Sequence, residues 1–317
     1  MCIRDRLETR GVAEVAHKWP AAALLDYGQR ILDSLEPGTI YVGGTDPGRF
    51  IPTLLSETAD GPRRIILTQN ALVDKTYLDY VDFLYADQLS PATSEDLQRA
   101  FQTYVQDAKR RVLHDLQFPN EPRQVAPNED IKVSESGRVD ISGASAVMNV
   151  NGLMLRTLMD KNPDARFALE ESFPIASVYV GAMPGGPLIH LNALSDGAVM
   201  PAEAAQQALD YWQTTAPQVL AHPAWAESAD VRVAYAKLAE GQANLLAHQN
   251  FTGEAEQLYE VARRLAPEAP GPVEQYAIFL SRQGRRNEAL QVLDAFLQAH
   301  PQQQASVLQL KQWMLET

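Results

Sequence analysis

The chain has 317 residues, 45% hydrophobic and 21% charged, with a formal net charge of -13. Its length exceeds one ordinary domain and predicts two cores. The acidic balance excludes a general nucleic-acid binder, because neutralising phosphates needs clustered Lys and Arg, and the longest basic run is Lys109-Arg110-Arg111.

Cys2 is the single cysteine, so neither a disulfide framework nor a cysteine-based zinc site forms within one chain, and no metal centre is expected. No apolar stretch is long enough to span a bilayer. Residues 1–6, MCIRDR, resemble a translated sequencing-adapter sequence. They are expected to be non-native, with the chain a fragment of a longer reading frame.

From Val12 to Leu35 apolar residues recur at helical spacing, including Leu24, Leu25, Ile31 and Leu32, with Pro20 as a kink or division. Glu36-Pro37-Gly38 stops that helix, and Thr39 to Val42 reads as a short buried strand. Gly43, Gly44 and Gly48 then permit backbone geometry closed to other residues, before a helical pattern resumes from Arg49 to Ser56. Strand, glycine-rich turn and helix together can aim backbone N–H groups at an anion. Neither the dinucleotide pattern nor the phosphate-loop pattern is present, so no cofactor is expected. Two readings stand: a structural turn in which Asp46 caps the helix begun by Pro47, or a ligand site built from Gly43, Gly44, Asp46, Gly48 and Arg49.

Arg63 to Thr68 predicts a second strand, completing a βαβ unit. The next segment places Leu72, Tyr77, Tyr80, Val81 and Leu84 along one helical side, and its tyrosines read as packing groups. Thr93-Ser94-Glu95-Asp96 fits a capping box before a helix carrying Leu97, Phe101, Tyr104, Val105, Ala108 and Val112 on one face. Residues 117–143 read as a polar loop entering a small hairpin at Ile131–Val133 and Val139–Ile141. A helix is expected from Ala144 to Met159, then strands at Phe167–Leu169 and Leu188–Leu191 joined by a turn near Met183–Gly186. Glu170 and Glu171 follow a strand, where ligands of open α/β sheets gather, and are candidate binding residues. As neighbours on extended chain they point to opposite faces and do not share a proton or metal. His190, inside an apolar strand, reads as a packed histidine. No catalytic residue is assigned.

After Pro201 the texture becomes rich in Ala, Leu, Gln and Glu, with helices expected at about 202–219, 230–248, 253–265, 271–282, 286–299 and 303–315. Hairpins repeat at a spacing of 34 residues: Ala255 with Ala289, Tyr259 with Leu293, Ala262 with Phe296, Pro267 with Pro301, Ala243 with Ala277 and Leu246 with Leu280. This pattern resembles the tetratricopeptide repeat, in which small residues let paired helices approach and proline ends each unit. Tyr211 and Trp212 are expected to seal one end of the array, and Val307, Leu308, Leu310 and Trp313 the other. Asn250-Phe251-Thr252 fits a glycosylation acceptor but reads as an interhelical turn. The expected architecture is a three-layer α/β domain over residues 7–198, followed by an all-α, tetratricopeptide-repeat-like solenoid over residues 199–317.

In order, the segments YVGGTDPGRFIPT, ILTQNALVDKTYLDYV, VMNVNGLMLRTLMD, FALEESFP and the 34-residue repeats resemble the soluble C-terminal region of certain bacterial polytopic membrane proteins. These are related to GT-C-type, protein O-mannosyltransferase-like glycosyltransferases. The resemblance covers roughly residues 38–317. It implies a position outside the cytoplasm, a membrane domain that carries the catalytic acid, and a protein partner or acceptor for the repeats. The residues here would then form a non-catalytic accessory region. Two other expectations compete with it: an independent soluble enzyme or binding protein for a sugar or nucleotide at the Gly43–Arg49 turn, and a plain repeat scaffold for protein binding.

Overall fold

The computed structural model describes Ala13 and residues 21–60, 63–121, 123–126, 129–134, 139–195, 197–302 and 305–316. Along the chain these form α1 (Ala21–Asp33), β1 (Ile40–Gly43), α2 (Asp46–Thr58), β2 (Ile66–Thr68), α3 (Lys75–Tyr85), α4 (Ser94–Gln117), β3 (Asp130–Val133), β4 (Val139–Ser142) and α5 (Ala144–Lys161). There follow β5 (Phe167–Glu170), β6 (Met183–Gly185), β7 (Leu188–Leu191), α6 (Ala202–Ala221), α7 (Pro223–Ala226), α8 (Ala229–His248), α9 (Thr252–Leu265), α10 (Pro270–Arg282), α11 (Arg286–Ala299) and α12 (Ala305–Glu316). Among the described residues no helix is long and apolar enough to cross a membrane.

Two compact units result: Met1–Thr68 with Asp164–Gln304, and Gln69–Pro163 with Ala305–Thr317. The larger segment of the second unit is thus inserted in the chain between β2 and β5 of the first, and its smaller segment follows residue 304. The texture change near residues 195–200 marks the passage from strands to helices, and α6 to α11 belong to the same unit as the sheet.

In the first unit a five-stranded sheet runs in the order β2-β1-β5-β7-β6. β1 lies parallel to both β2 and β5, with Tyr41 opposite Ile66 and Ala168, while β7 is antiparallel to β5 and β6. Every residue of β1 and β5 is buried. Their apolar runs Ile40–Val42 and Phe167–Leu169 reflect strands covered on both faces, where alternation is lost. β6 departs from the expected turn at Met183–Gly186: the three residues before Gly186 fold back and pair with β7, and Gly186 itself takes a φ of +56°. α1 begins at Ala21, burying Leu24, Ile31 and Leu32 and leaving Leu25 exposed. The remainder of the helix expected from Val12 lies outside the described residues, apart from Ala13.

The helices expected after Pro201 form within about two residues of their expected limits, with the short α7 in addition. α8 is buried almost all round, which explains its weak amphipathic pattern. Its small residues Ala236, Ala239, Gly241 and Ala243 allow close approach by neighbours. Its polar residues fix the docking. Gln242 accepts a hydrogen bond from Trp212 Nε1 at 3.0 Å and donates to the carbonyls of Gly186 and Leu188 at 2.8 and 2.9 Å. One amide therefore joins α6, α8 and the β6–β7 turn, with its acceptor and both donors used.

In the second unit the expected capping box is present, formed by Thr93 and Asp96 at the start of α4. The buried stripe of α4 is, however, Asp96, Ala100, Tyr104 and Ala108, and Phe101 is exposed. The helix is turned about one residue from its apolar pattern because Asp96 is held inside by Lys161 and by the Thr93 backbone and hydroxyl. Burial acts to raise the Asp96 carboxyl, yet Lys161, Thr93 and Arg99 hold it well below its ordinary value. The hairpin β3–β4 forms in antiparallel register, Ile131 opposite Ile141. α12 buries Val307, Leu310 and Met314, and leaves Leu308 exposed.

The Gln242 junction yields a stability test. Gln242→Ala leaves an indole N–H and two carbonyls without their partner and opens a small void. It is expected to lower unfolding free energy by about 3 kcal/mol, read from urea denaturation. A loss under about 0.5 kcal/mol would show that the junction contributes nothing.

Candidate functional site

The connection from β1 to β2 leaves on one side of β1, and the chain returns at β5 on the other. The carboxyl ends of β1 and β5 therefore meet at a topological switch point, where open α/β sheets place ligands. Gly43, Gly44, Asp46, Gly48, Arg49 and Glu170 are all brought to this point. Glu171 is not.

What fills the turn is Glu170, fully buried at the end of β5. Its Oε2 accepts from the N–H groups of Gly44 and Thr45 at 2.6 and 2.8 Å, and its Oε1 from Thr45 Oγ1 at 2.5 Å and Tyr27 Oη at 3.5 Å. The carboxylate occupies the position that a bound anion takes at a helix N-terminus. Burial pushes the Glu170 carboxyl above its ordinary value, against the opposing pull of Thr45, Gly44 and Tyr27. Gly48 is obligatory on space: a Cβ there would lie 2.2 Å from Glu170 Oε2. Gly43 is equally confined, with the Arg49 Cα and the Gly48 carbonyl each 2.9 Å from a Cβ built on it.

The N-cap of α2 is Thr45, not Asp46 as the sequence suggests. The physical reason is the proton. Thr45 Oγ1 accepts from Gly48 N at 3.0 Å while donating to Glu170, and an ionised aspartate, an acceptor only, has nothing to donate to a carboxylate. Asp46 instead pairs with Arg49 at 2.7 Å within the first turn, partly in solvent, and the Arg49 guanidinium lies over the Phe50 ring. Such an exposed pair adds little stability. Arg49 Nε is buried without a hydrogen-bond partner among the described residues.

Pro52 completes the turn from inside α2. Having no N–H, it leaves the Gly48 carbonyl without its helical donor, and the Tyr41 hydroxyl supplies one at 2.7 Å. Burial, then the charge of Glu170, keeps the Tyr41 hydroxyl protonated far above its ordinary range.

Glu171 turns the other way, as adjacent residues of an extended chain do. It accepts from Tyr179 Oη, from Ile175 N at 3.3 Å and from Asn244 Nδ2 at 2.9 Å, and Asn244 in turn accepts from Tyr259 Oη at 2.6 Å. The two carboxylates thus belong to separate hydrogen-bond systems and cannot act as one acid–base pair. His190 sits on β7 at a partly buried position, its ring against Gly185, and burial lowers its pKa. Tyr77 is buried, with the Tyr80 ring tilted against it at 6.2 Å. Asn250 takes a left-handed φ of 67° at the α8–α9 turn.

A cavity of about 510 Å³ lies in the second unit, walled by Leu97, Phe101, Ile141, Val147 and Val150 with Gln98 at its polar side. None of the candidate residues lines it. Their spacing predicts Leu97 and Phe101 on a core face; they border this open space because Asp96 takes the inward position. Sequence reasoning also missed Tyr27, Tyr41, Thr45 and Asn244. Only Thr45 carried a local signal, as a cap-forming residue before a proline-led helix. Tyr27 and Asn244 reach their carboxylates across long separations in the chain, and Tyr41 meets a backbone carbonyl seven residues on.

Comparison with protein-family models, with curated proteins and with solved structures finds no match to this chain.

The Tyr41–Gly48 contact predicts a rescue. Tyr41→Phe leaves a buried carbonyl unpaired and is expected to cost about 1–3 kcal/mol. Adding Pro52→Ala restores an N–H four residues after Gly48, so the double variant should recover a measurable part of that loss in thermal or urea denaturation. Strict additivity of the two changes would refute the pairing.

Proposed function

We propose that this chain is a non-catalytic accessory and protein-interaction region of a larger membrane glycosyltransferase-like protein, held on the extracytoplasmic side. In this reading the strand-bearing part is a three-layer α/β domain beside the membrane enzyme. The helices α8 to α11 form a tetratricopeptide-repeat-like solenoid that receives a protein partner or acceptor. The observation that carries the non-catalytic assignment is the Glu170 carboxylate, which takes the backbone donors of a turn shaped for an anion. The ordered sequence resemblance supports the parent protein. The repeat reading is supported by the complete burial of Ala243, Ala255, Ala277 and Ala289, two pairs of small residues at the same 34-residue spacing. Leu246, Tyr259, Ala262, Leu280, Leu293 and Phe296 are buried as well, and Pro267 and Pro301 follow the ends of α9 and α11.

The source locus tests the parentage. In-frame membrane-spanning segments are expected upstream of the codon for residue 7, and an intact gene that starts there without such segments would overturn it.

A second reading, a sugar or nucleotide bound at Gly43–Arg49, draws on the unpartnered Arg49 Nε. It is tested by calorimetry of the chain against sugar phosphates and nucleotide sugars. On the accessory reading no saturable heat appears; specific heat that vanishes in Asp46→Ala would establish the binding site instead.

A further inference from the structure

Glu171 lies where helices of the first unit seat on the end of the sheet, and its surroundings hold more negative than positive charge. The residue is 3% exposed. Its hydrogen-bond partners among the described residues are all neutral donors: Tyr179 Oη, Ile175 N and Asn244 Nδ2. Gly241 of α8 packs on its stem, where a Cβ would come within 3.2 Å of the Glu171 Cβ. A second buried carboxylate, Glu240 of α8, is near enough to act on it. The ammonium in this region, Lys237 of α8, is committed to Glu240 Oε1 at 2.7 Å, and Glu240 Oε2 is buried without a partner among the described residues. Two buried acids thus share one base, and burying an uncompensated carboxylate is costly. A proton on Glu171 removes that imbalance.

We propose that proton uptake by Glu171 locks, and proton loss loosens, the seat of α8 and α9 at the carboxyl end of β5. The lock consists of the chain Glu171–Asn244–Tyr259, which ties the strand end to both helices, and of Tyr179, whose carbonyl accepts from Gln249 at the end of α8 at 2.8 Å. Burial, with the Glu240 charge adding to it, pushes the Glu171 carboxyl up to about 7, so the change falls near neutral pH. This inference goes beyond the proposed interaction role and does not depend on it.

The groups facing Glu171 determine the sign. Tyr179 and Tyr259 are raised by burial and by neighbouring carboxylates and stay protonated throughout. Burial acts against the Lys237 ammonium, but Glu240, Glu171 and Glu274 of α10 hold its pKa above the ordinary value, so it stays charged. Arg282 of α10 acts on Tyr259 in the opposing, lowering direction. His248 of α8 lies edge-on to Tyr179 at 5.2 Å, and burial lowers its pKa. A histidine lowered in this way destabilises the fold as pH falls. A carboxyl raised as Glu171 is stabilises it below the unfolded value and loses that contribution as pH rises toward about 7. The two effects have opposite signs. Glu170 titrates in the same direction as Glu171, but its partners lie in the β1–α2 turn and in α1, so a regional readout separates them.

Hydrogen exchange of the full chain between pH 5 and 8, corrected for intrinsic rates, is the test. The opening constant of amides in α8 and α9 is expected to rise with pH by up to about a hundredfold, levelling above neutrality, and the rise is expected to be absent in Glu171→Gln. An unchanged rise in that variant, or protection that grows with pH, would overturn the proposal. Should Glu171→Gln fail to fold, carboxyl NMR of the wild type replaces it. One glutamate is expected to titrate near neutrality, with a midpoint that moves upward in Tyr179→Phe, which removes a donor to the ionised form. Titration of every glutamate in the ordinary carboxylate range would equally overturn it.

Discussion

Two adjacent carboxylates, buried at the end of β5 and without a cation in contact among the described residues, set the terms for the first unit. Burying such groups is unfavourable by several kcal/mol each unless hydrogen bonds replace the lost water. Each must therefore find donors, and since adjacent residues of an extended chain face opposite ways, they find them in different elements. Glu170 draws on the β1–α2 turn and on α1. Glu171 draws on α8, on Tyr179 and, through Asn244, on α9. The pair ties the strand to helices that precede and follow it in sequence. A neutral apolar pair would pack there without selecting any of these partners.

The same requirement changes the meaning of the glycine-rich turn. Such turns offer N–H groups to an anion because the first turn of a helix leaves them unpaired. Here the anion is supplied by the protein, 126 residues away along the chain. Gly48 is small because the carboxylate needs its space, Thr45 caps because its hydroxyl can both donate and accept, and Tyr41 makes good the hydrogen bond that Pro52 cannot provide. Gly48, Thr45 and Tyr41, which in isolation suggest recognition of a ligand, are engaged in internal contacts.

This difference marks where the sequence is legible. Local physics is readable: the Thr93–Asp96 box, the β3–β4 hairpin and the helices after Pro201 all follow from spacing, capping and turn residues. Even the divergence of Glu170 and Glu171 follows from strand geometry alone. Long-range partners are not readable, because nothing near Tyr27 or Asn244 names the carboxylate each one meets. β6 escaped notice because Met183-Pro184-Gly185 has turn composition, and its strand character comes from pairing with β7. The apolar stripe of α4 misled for a related reason. Its periodicity is sound, but the buried Asp96, held by Lys161 and by Thr93, takes the inward position from Leu97 and Phe101.

α8 shows how these principles combine in one helix. A helix buried on every side gains apolar contacts in many rotations about its axis, so hydrophobic packing alone specifies its orientation weakly. Polar side chains remove that freedom, since an unpaired buried donor or acceptor is costly in every orientation but one. Gln242 and Asn244 lie two residues apart, about 200° around the helix, and so fix it from nearly opposite sides: Gln242 against α6 and the β6–β7 turn, Asn244 against Glu171 and α9. Gly241 between them lets the backbone approach the Glu171 stem. The orientation of α8, and with it the position from which α9 begins, is therefore set by hydrogen bonds to the strand ends as well as to α6 and α9.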